Sequence, residues 1–292
     1  MADSHAAPKH DYHLVNPSIW PLFCSAASVV MMVGAVAWMK GVFGLPAGTH
    51  WLFFVGLLLT VAGMGLWWAD VVKEANQGDH TPVVAIGLRY GMVLFIASEI
   101  MFFAAFFWMF FEMSLFDQAR THIPEVGTWA DTAAAWSTWP PKGVETIDAW
   151  HLPLLNTITL LLSGTTVTWA HQAIIDGNRK DAKLALGLTI ALGVFFTLIQ
   201  AYEYYEILHE NLFFNEAAAN SGLYGSIFFM ATGFHGFHVL VGTIFLAVCL
   251  LRLMGGAFTP KQHFGFEAAA WYWHFVDVVW LFLFAFVYVA FG

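Results

Sequence analysis

The sequence predicts an all-α membrane protein, seven transmembrane helices in a single domain, and three observations carry that prediction. Only 11% of the 292 residues are charged, while 59% are apolar or aromatic; soluble domains carry roughly 25% charge. A soluble globule of this length lacks the interior to hide so much apolar surface, and the mean hydropathy is +0.67. Apolar runs long enough to cross ~30 Å of hydrocarbon as helices recur seven times. Turn and breaker residues separate them. The same composition excludes intrinsic disorder. Eleven scattered Lys and Arg form no basic stripe, so nucleic acid is not an expected partner.

The first run, residues 18–39, follows a polar leader, MADSHAAPKHDYHLVNPS. The leader has no short apolar core before a small-residue cleavage site and does not read as a signal peptide. Gly44-Leu45-Pro46 separates it from the second run, residues 50–68, which ends on Trp67-Trp68. Gly78 to Pro82 then breaks the chain before the third run, residues 86–111. The long connection 112–151 follows, with four Trp between Trp129 and Trp150, and is an expected place for partner contact. Runs four to seven cover residues 152–170, 184–205, 224–251 and 266–290, divided by Asp176-Gly177-Asn178, an acidic loop and Gly255-Gly256. No internal repeat is visible. Cys24 and Cys249 lie inside apolar runs, without metal-type spacing or a disulfide framework, and read as buried small hydrophobes.

Basic residues set the orientation. With the N-terminus cytoplasmic, that side receives Lys9, Lys73, Arg89, Arg179, Lys180, Lys183, Arg252 and Lys261. The opposite side receives only Lys40, Arg120 and Lys142, which satisfies the positive-inside rule and places the C-terminus outside. The outer connections are acidic, with Glu112, Asp117, Glu125, Asp131, Glu145 and Asp148 in one and Glu206, Glu210 and Glu216 in another.

Ionisable residues inside spans are functional candidates because hydrocarbon penalises them. Glu99 lies near the middle of the third run, roughly 18–20 Å from either end. Its helical neighbours Phe95, Ile96, Phe102 and Phe103 offer no compensation, so the carboxyl stays neutral unless another helix supplies a donor. It reads as a proton relay, as a polar anchor for a buried lipid or partner helix, or as a carboxyl hydrogen-bonded between helices. In Gly233-Phe-His235-Gly-Phe-His238, two histidines at i, i+3 share a helix face and invite a metal or haem reading. Counted from the cytoplasmic span ends, His238 lies about 20 Å deep, His235 about 24 Å and His274 about 12 Å. Axial ligands of one haem sit almost level, so these depths argue for interhelical hydrogen bonds and against a cofactor. Glu267, His274 and Asp277 at i, i+7 and i+10 form one polar stripe, expected to face protein rather than lipid. Trp68 and His80 belong to an interfacial belt, and Arg252 is placed to reach a phosphate head group.

Longer strings then resemble a known family. His151-Leu-Pro-Leu-Leu-Asn-Thr157, Ser163-Gly164 and Thr168-Trp-Ala-His171 are similar to cytochrome c oxidase subunit III of aa3-type haem–copper oxidases. So are Tyr224 to His238, Leu88-Arg-Tyr-Gly-Met92 with Ser98-Glu99, and the whole of Gly265-Phe-Glu-Ala-Ala-Ala-Trp-Tyr-Trp-His-Phe-Val-Asp-Val-Val-Trp280. The form is closest to that of alphaproteobacteria and mitochondria. The resemblance implies a non-catalytic subunit whose first two helices splay from helices three to seven around a phospholipid-filled cleft. It implies no haem or copper in this chain; haem a and copper belong to subunits I and II. Contact with subunit I, support of proton uptake by that subunit, and protection of the catalytic centre during turnover are further expectations. So is residence in a bacterial inner membrane, or a mitochondrial one, with membership in a respiratory supercomplex an open possibility of the same resemblance. Residue by residue, Glu99 matches the family's cleft carboxyl, and Trp68, His80, Phe95 and Arg252 match its lipid-contacting positions. His235, His238, Glu267, His274 and Asp277 are expected as buried structural polar groups. Family counterparts in quinol oxidases usually lack the first two spans, so the quinol enzyme is the alternative, and an autonomous transporter a more distant one.

Overall fold

The computed structural model describes residues 11–12, 17–116, 138–141, 144, 146–210 and 222–291. Helices occupy every predicted span: α1 (Trp20–Lys40), α2 (Trp51–Gln77), α3 (Pro82–Leu115), α4 (Leu152–Ile175), α5 (Arg179–Glu210), α6 (Gly222–Met254) and α7 (Phe264–Phe282). The last continues as a π-helical segment, Leu283–Ala290. Among the described residues no strand forms, only an isolated bridge between Val42 and Leu45. Lys9, Asp117, Arg120, Glu125, Asp131, Lys142, Glu145 and Glu216 lie outside the described residues, as does most of the connection after α3.

Six of these helices are long and apolar enough to cross a membrane. The seventh, α4, has 24 residues, about 36 Å of helix, which is long enough. It carries Asn156, Thr157, Thr159 and Ser163, all buried, so its polar atoms face neighbouring helices instead of lipid. The helix that carries the second span continues past the predicted span end at Trp68. Helix α2 runs on through Asp70, Lys73 and Glu74 to Gln77, because nothing in that stretch breaks a helix. It stops at Gly78, whose φ of +89° permits a left-handed cap; the Gly78 and Asp79 N–H groups return to the Ala75 and Glu74 carbonyls at 3.3 and 3.2 Å. Trp68 therefore sits within a helix, 63% exposed.

The chain divides into two compact units, Met1–Tyr90 and Gly91–Gly292. In the first, α1 and α2 form a hairpin whose backbones approach at small residues. Gly34 lies against Phe53, Gly56 against Met31, and Gly63 against the Cys24 Sγ, 2.8 Å from where a Cβ would stand. Without a hydrophobic drive between helices in lipid, such close backbone contact is what associates them. Cys24 is accordingly only half-buried. Trp20 Nε1 donates to Asp70 Oδ2 at 2.5 Å across the far ends of the hairpin. Substituting Gly56→Leu is expected to destabilise this hairpin by about 1–3 kcal/mol through overpacking. A lowered temperature of subunit release from the detergent-solubilised assembly would register it, and an unchanged release temperature would contradict the packing described.

The second unit packs α4 to α7 and the later part of α3 around Trp273, Trp280, Phe196, Phe228 and Phe266, all fully buried. Polar side chains tie the helices together where water is absent. Trp273 Nε1 donates to Ser163 Oγ and Trp280 Nε1 to Thr157 Oγ1, each at 2.9 Å. Thr166 and Thr189 hydroxyls meet at 2.8 Å, and Tyr204 and Thr232 at 2.6 Å. The turn from α4 to α5 closes through Gly177, at φ +74°. Immediately after it, Arg179 donates to the Leu253, Ala257 and Phe258 carbonyls at 2.5, 3.0 and 2.9 Å. One guanidinium thus satisfies the acceptors left open at the end of α6. Cys249 is buried beside the Gly265 carbonyl.

Candidate functional site

Glu99 stands halfway along α3, and α6 supplies the polar partner that its own helix lacks. His238 Nε2 and Glu99 Oε2 are 3.1 Å apart, with side-chain exposures of 9% and 22%. His238 Nδ1 lies 2.6 Å from the Phe234 carbonyl one turn earlier in α6. A carbonyl can only accept, so Nδ1 carries a proton and Nε2 is left to face the carboxyl. Two arrangements satisfy that contact. A protonated Glu99 donates to Nε2, or an imidazolium donates from Nε2 to a carboxylate. In both, the pair holds one proton between α3 and α6.

Aromatic rings enclose the pair. Phe103, Phe102 and Tyr272 have ring centroids 5.0, 6.0 and 6.3 Å from that of His238. Phe95, one turn before Glu99, lies 6.2 Å from Tyr272 and is half exposed. Phe95, Glu99 and His238 are thus gathered at one place, with Tyr272 the contributor that sequence reading missed. A tyrosine inside the aromatic-rich Trp271-Tyr272-Trp273 string offers no signal of its own.

The remaining candidates go elsewhere. His235 is fully buried, its Nε2 donating to the Val276 carbonyl at 3.2 Å, its ring between Phe196 and Trp280. His274 contacts Thr168 Oγ1 at 3.3 Å and Asp277 Oδ2 at 3.7 Å. Asp277 is buried, with Oδ2 packed on Gly164. Glu267 is half-buried in the first turn of α7. Of the expected polar stripe, Asp277 is buried, Glu267 half-buried, and the His274 side chain 46% exposed in this chain. The depth count needs correction. His238 is level with Tyr272 and Phe275, and His235 with Val276, because α6 and α7 do not end in a common plane. His238 and His274 are level after all; what separates them is direction, one toward α3 and the other toward α4. Among the described residues no group of three His, Cys, Asp or Glu is placed to hold a metal.

Arg252 is half-buried near the end of α6, its guanidinium 4.7 Å over the Phe258 ring and Nη1 3.1 Å from where a Gly265 Cβ would stand. Trp68 and His80 lie in the first unit, His80 half-buried just beyond the α2 cap.

These features define a polytopic all-α membrane protein whose central polar element is a carboxyl–imidazole pair at midspan. The family model for cytochrome c oxidase subunit III matches residues 10–291. Cytochrome c oxidase subunit 3 of Oryctolagus cuniculus is 49% identical over 280 residues, covering 96% of this chain and 97% of the relative. That of Prototheca wickerhamii is 49% identical over 281 residues with the same coverage, and that of Danio rerio 49% over 280. The chain belongs to the cytochrome c oxidase subunit III family and is a multi-pass membrane subunit of the oxidase complex.

Proposed function

We propose that this chain is a non-catalytic core subunit of a proton-pumping cytochrome c oxidase, binding structural phospholipids and sustaining proton uptake by subunit I. Through that role it protects the catalytic centre from inactivation during turnover. Haem a and copper stay in subunits I and II. The membrane is the bacterial inner membrane, or the mitochondrial one in a eukaryote, with the N-terminus on the cytoplasmic or matrix side. The observation that supports this reading best is the Glu99–His238 pair, a proton-holding polar contact at midspan beside the half-exposed Phe95. Hydrocarbon tolerates such a pair only where it serves a purpose or is well compensated. Arg252 beside Phe258, and Trp68 exposed on α2, suit a phosphate head group and an interfacial ring.

Arg252→Ala and Trp68→Ala test the lipid part. Each is expected to lower phospholipid phosphorus per purified complex and to shorten the number of turnovers before activity is lost. Unaltered phosphorus and lifetime in both would remove lipid binding from the reading. The half-exposed His274, with the exposed Thr165 and Thr168 on α4, presents polar groups at membrane depth, which calls for a protein neighbour. Subunit I is the neighbour proposed. His274→Leu is expected to weaken retention of this subunit during detergent washing, measured by the ratio of subunits on a gel; undiminished retention would place subunit I elsewhere.

A further inference from the structure

Titratable groups line up along the contact between α4 and α7, starting where α7 begins. His263 immediately precedes α7, and its ring stands 5.4 Å from that of His171 near the end of α4. His171 interacts electrostatically with His263, with Glu267 in the first turn of α7, and with His274. His171, His263 and Glu267 are half-buried, so water reaches this end. Arg252 is the cation beside it, at Gly265, with its guanidinium over Phe258. His274 lies ten residues past the start of α7, about 15 Å along the axis. Thr168, one turn before His171 on α4, meets His274 there at 3.3 Å.

The inner end of the line is a second carboxyl–imidazole pair. Thr168 Oγ1 donates to the Gly164 carbonyl at 2.9 Å, so toward His274 it accepts, and Nε2 carries a proton. On the other side of the ring, Nδ1 lies 3.7 Å from Asp277 Oδ2. A Cβ at residue 164 would collide with that oxygen, so Gly164 is what lets the carboxyl stand beside the ring. Asp277 is buried, and its Oδ1 has no hydrogen-bond partner, whereas the His274 side chain is 46% exposed. A buried carboxylate beside Nδ1 compensates a second proton on the ring. The exposed edge of the ring can pass a proton on, but lipid offers no acceptor at that depth and a protein neighbour does.

We propose that His263, His171, Glu267 and His274 relay protons from the aqueous end of α7 to a neighbouring subunit at membrane depth, with Asp277 compensating the imidazolium. The relay rests on the reading above, in which subunit I lies against His274 and takes up protons from the cytoplasmic side. A proton arriving at His274 makes the imidazolium, and one leaves from Nε2 to an acceptor on the neighbour, which returns the ring to neutral. The test is proton uptake by the fully reduced oxidase complex on reaction with oxygen, followed with a pH-indicator dye. Wild type, His171→Gln, His263→Gln and His274→Gln are compared over a range of pH. Each variant is expected to slow uptake several-fold, most at alkaline pH where free protons are scarce, with the ratio of subunits unchanged. Added imidazole is expected to restore His171→Gln and His263→Gln, whose positions water reaches. Gln keeps a hydrogen-bonding side chain at each position, so a merely structural role would move neither the pH profile nor the rescue. The complex stripped of this chain is the reference. If it takes up protons at the wild-type rate, the proposed support of proton uptake fails and the relay with it. If the stripped complex is slow while all three variants match the wild type, the relay alone is overturned. Slowing that imidazole relieves in neither surface variant overturns it as well. Should His274→Gln be lost on washing, His171→Gln and His263→Gln carry the test.

Discussion

Replacing Glu99 with Ala is expected to strip phospholipid from the oxidase complex and to make it inactivate several-fold sooner under turnover. The substitution leaves His238 Nε2 facing Phe102, Phe103 and Tyr272 with no polar partner in reach of its own helix. An unsatisfied buried nitrogen costs about 1–3 kcal/mol, and the carboxyl's proton-holding capacity disappears with it. Glu99→Gln separates these two losses. Its amide N–H can donate to Nε2 while Nδ1–H stays on the Phe234 carbonyl, so the contact between α3 and α6 survives without a titratable group. If the pair matters for proton handling, the Gln variant keeps its lipid and loses lifetime. If it matters only as a tether, the Gln variant behaves as wild type and Ala alone fails. Phosphorus content and turnover number before inactivation, measured on the same preparations, distinguish the cases. A wild-type lifetime and lipid content in Glu99→Ala would reduce the pair to packing.

The largest effect on stability is expected at Trp280. Its ring is fully buried, stands 4.9 Å from Phe196 and 5.1 Å from His235, and donates to Thr157. Trp280→Ala removes the ring from the junction of α4, α5, α6 and α7, and the cavity costs about 3–5 kcal/mol by analogy with other large-to-small core changes. Trp280→Phe keeps most of the ring contact and forfeits the hydrogen bond, about 1 kcal/mol. The predicted order of thermal dissociation temperatures is wild type, then Phe, then Ala, with the second step much larger. Equal shifts for the two variants would mean that the Thr157 bond, not packing, dominates at this junction.

Much of this was legible along the chain. Seven apolar runs became seven helices, and the Gly78 and Gly177 signals stop helices where they stand, since a left-handed backbone is a property of one residue. Glu99 was conspicuous because its whole helical neighbourhood is apolar. Arg179 counted only as a positive charge, and its role on the α6 carbonyls is invisible without knowing that α5 starts beside the end of α6. The depth count for the histidines failed because it took span ends as a common plane.

The sequence by itself determined the class of protein, the number of its long helices and the family it resembles. Those follow from hydrocarbon thickness, a 1.5 Å rise per residue and contiguous strings, all of which are local. Only the tertiary structure decided that Glu99 meets a histidine 139 positions away, and that His235 and His238 answer different partners. Each of those depends on the relative rotation and register of two packed helices. Spacing within one helix places a side chain on a face, but what that face meets is set by the neighbour it packs against.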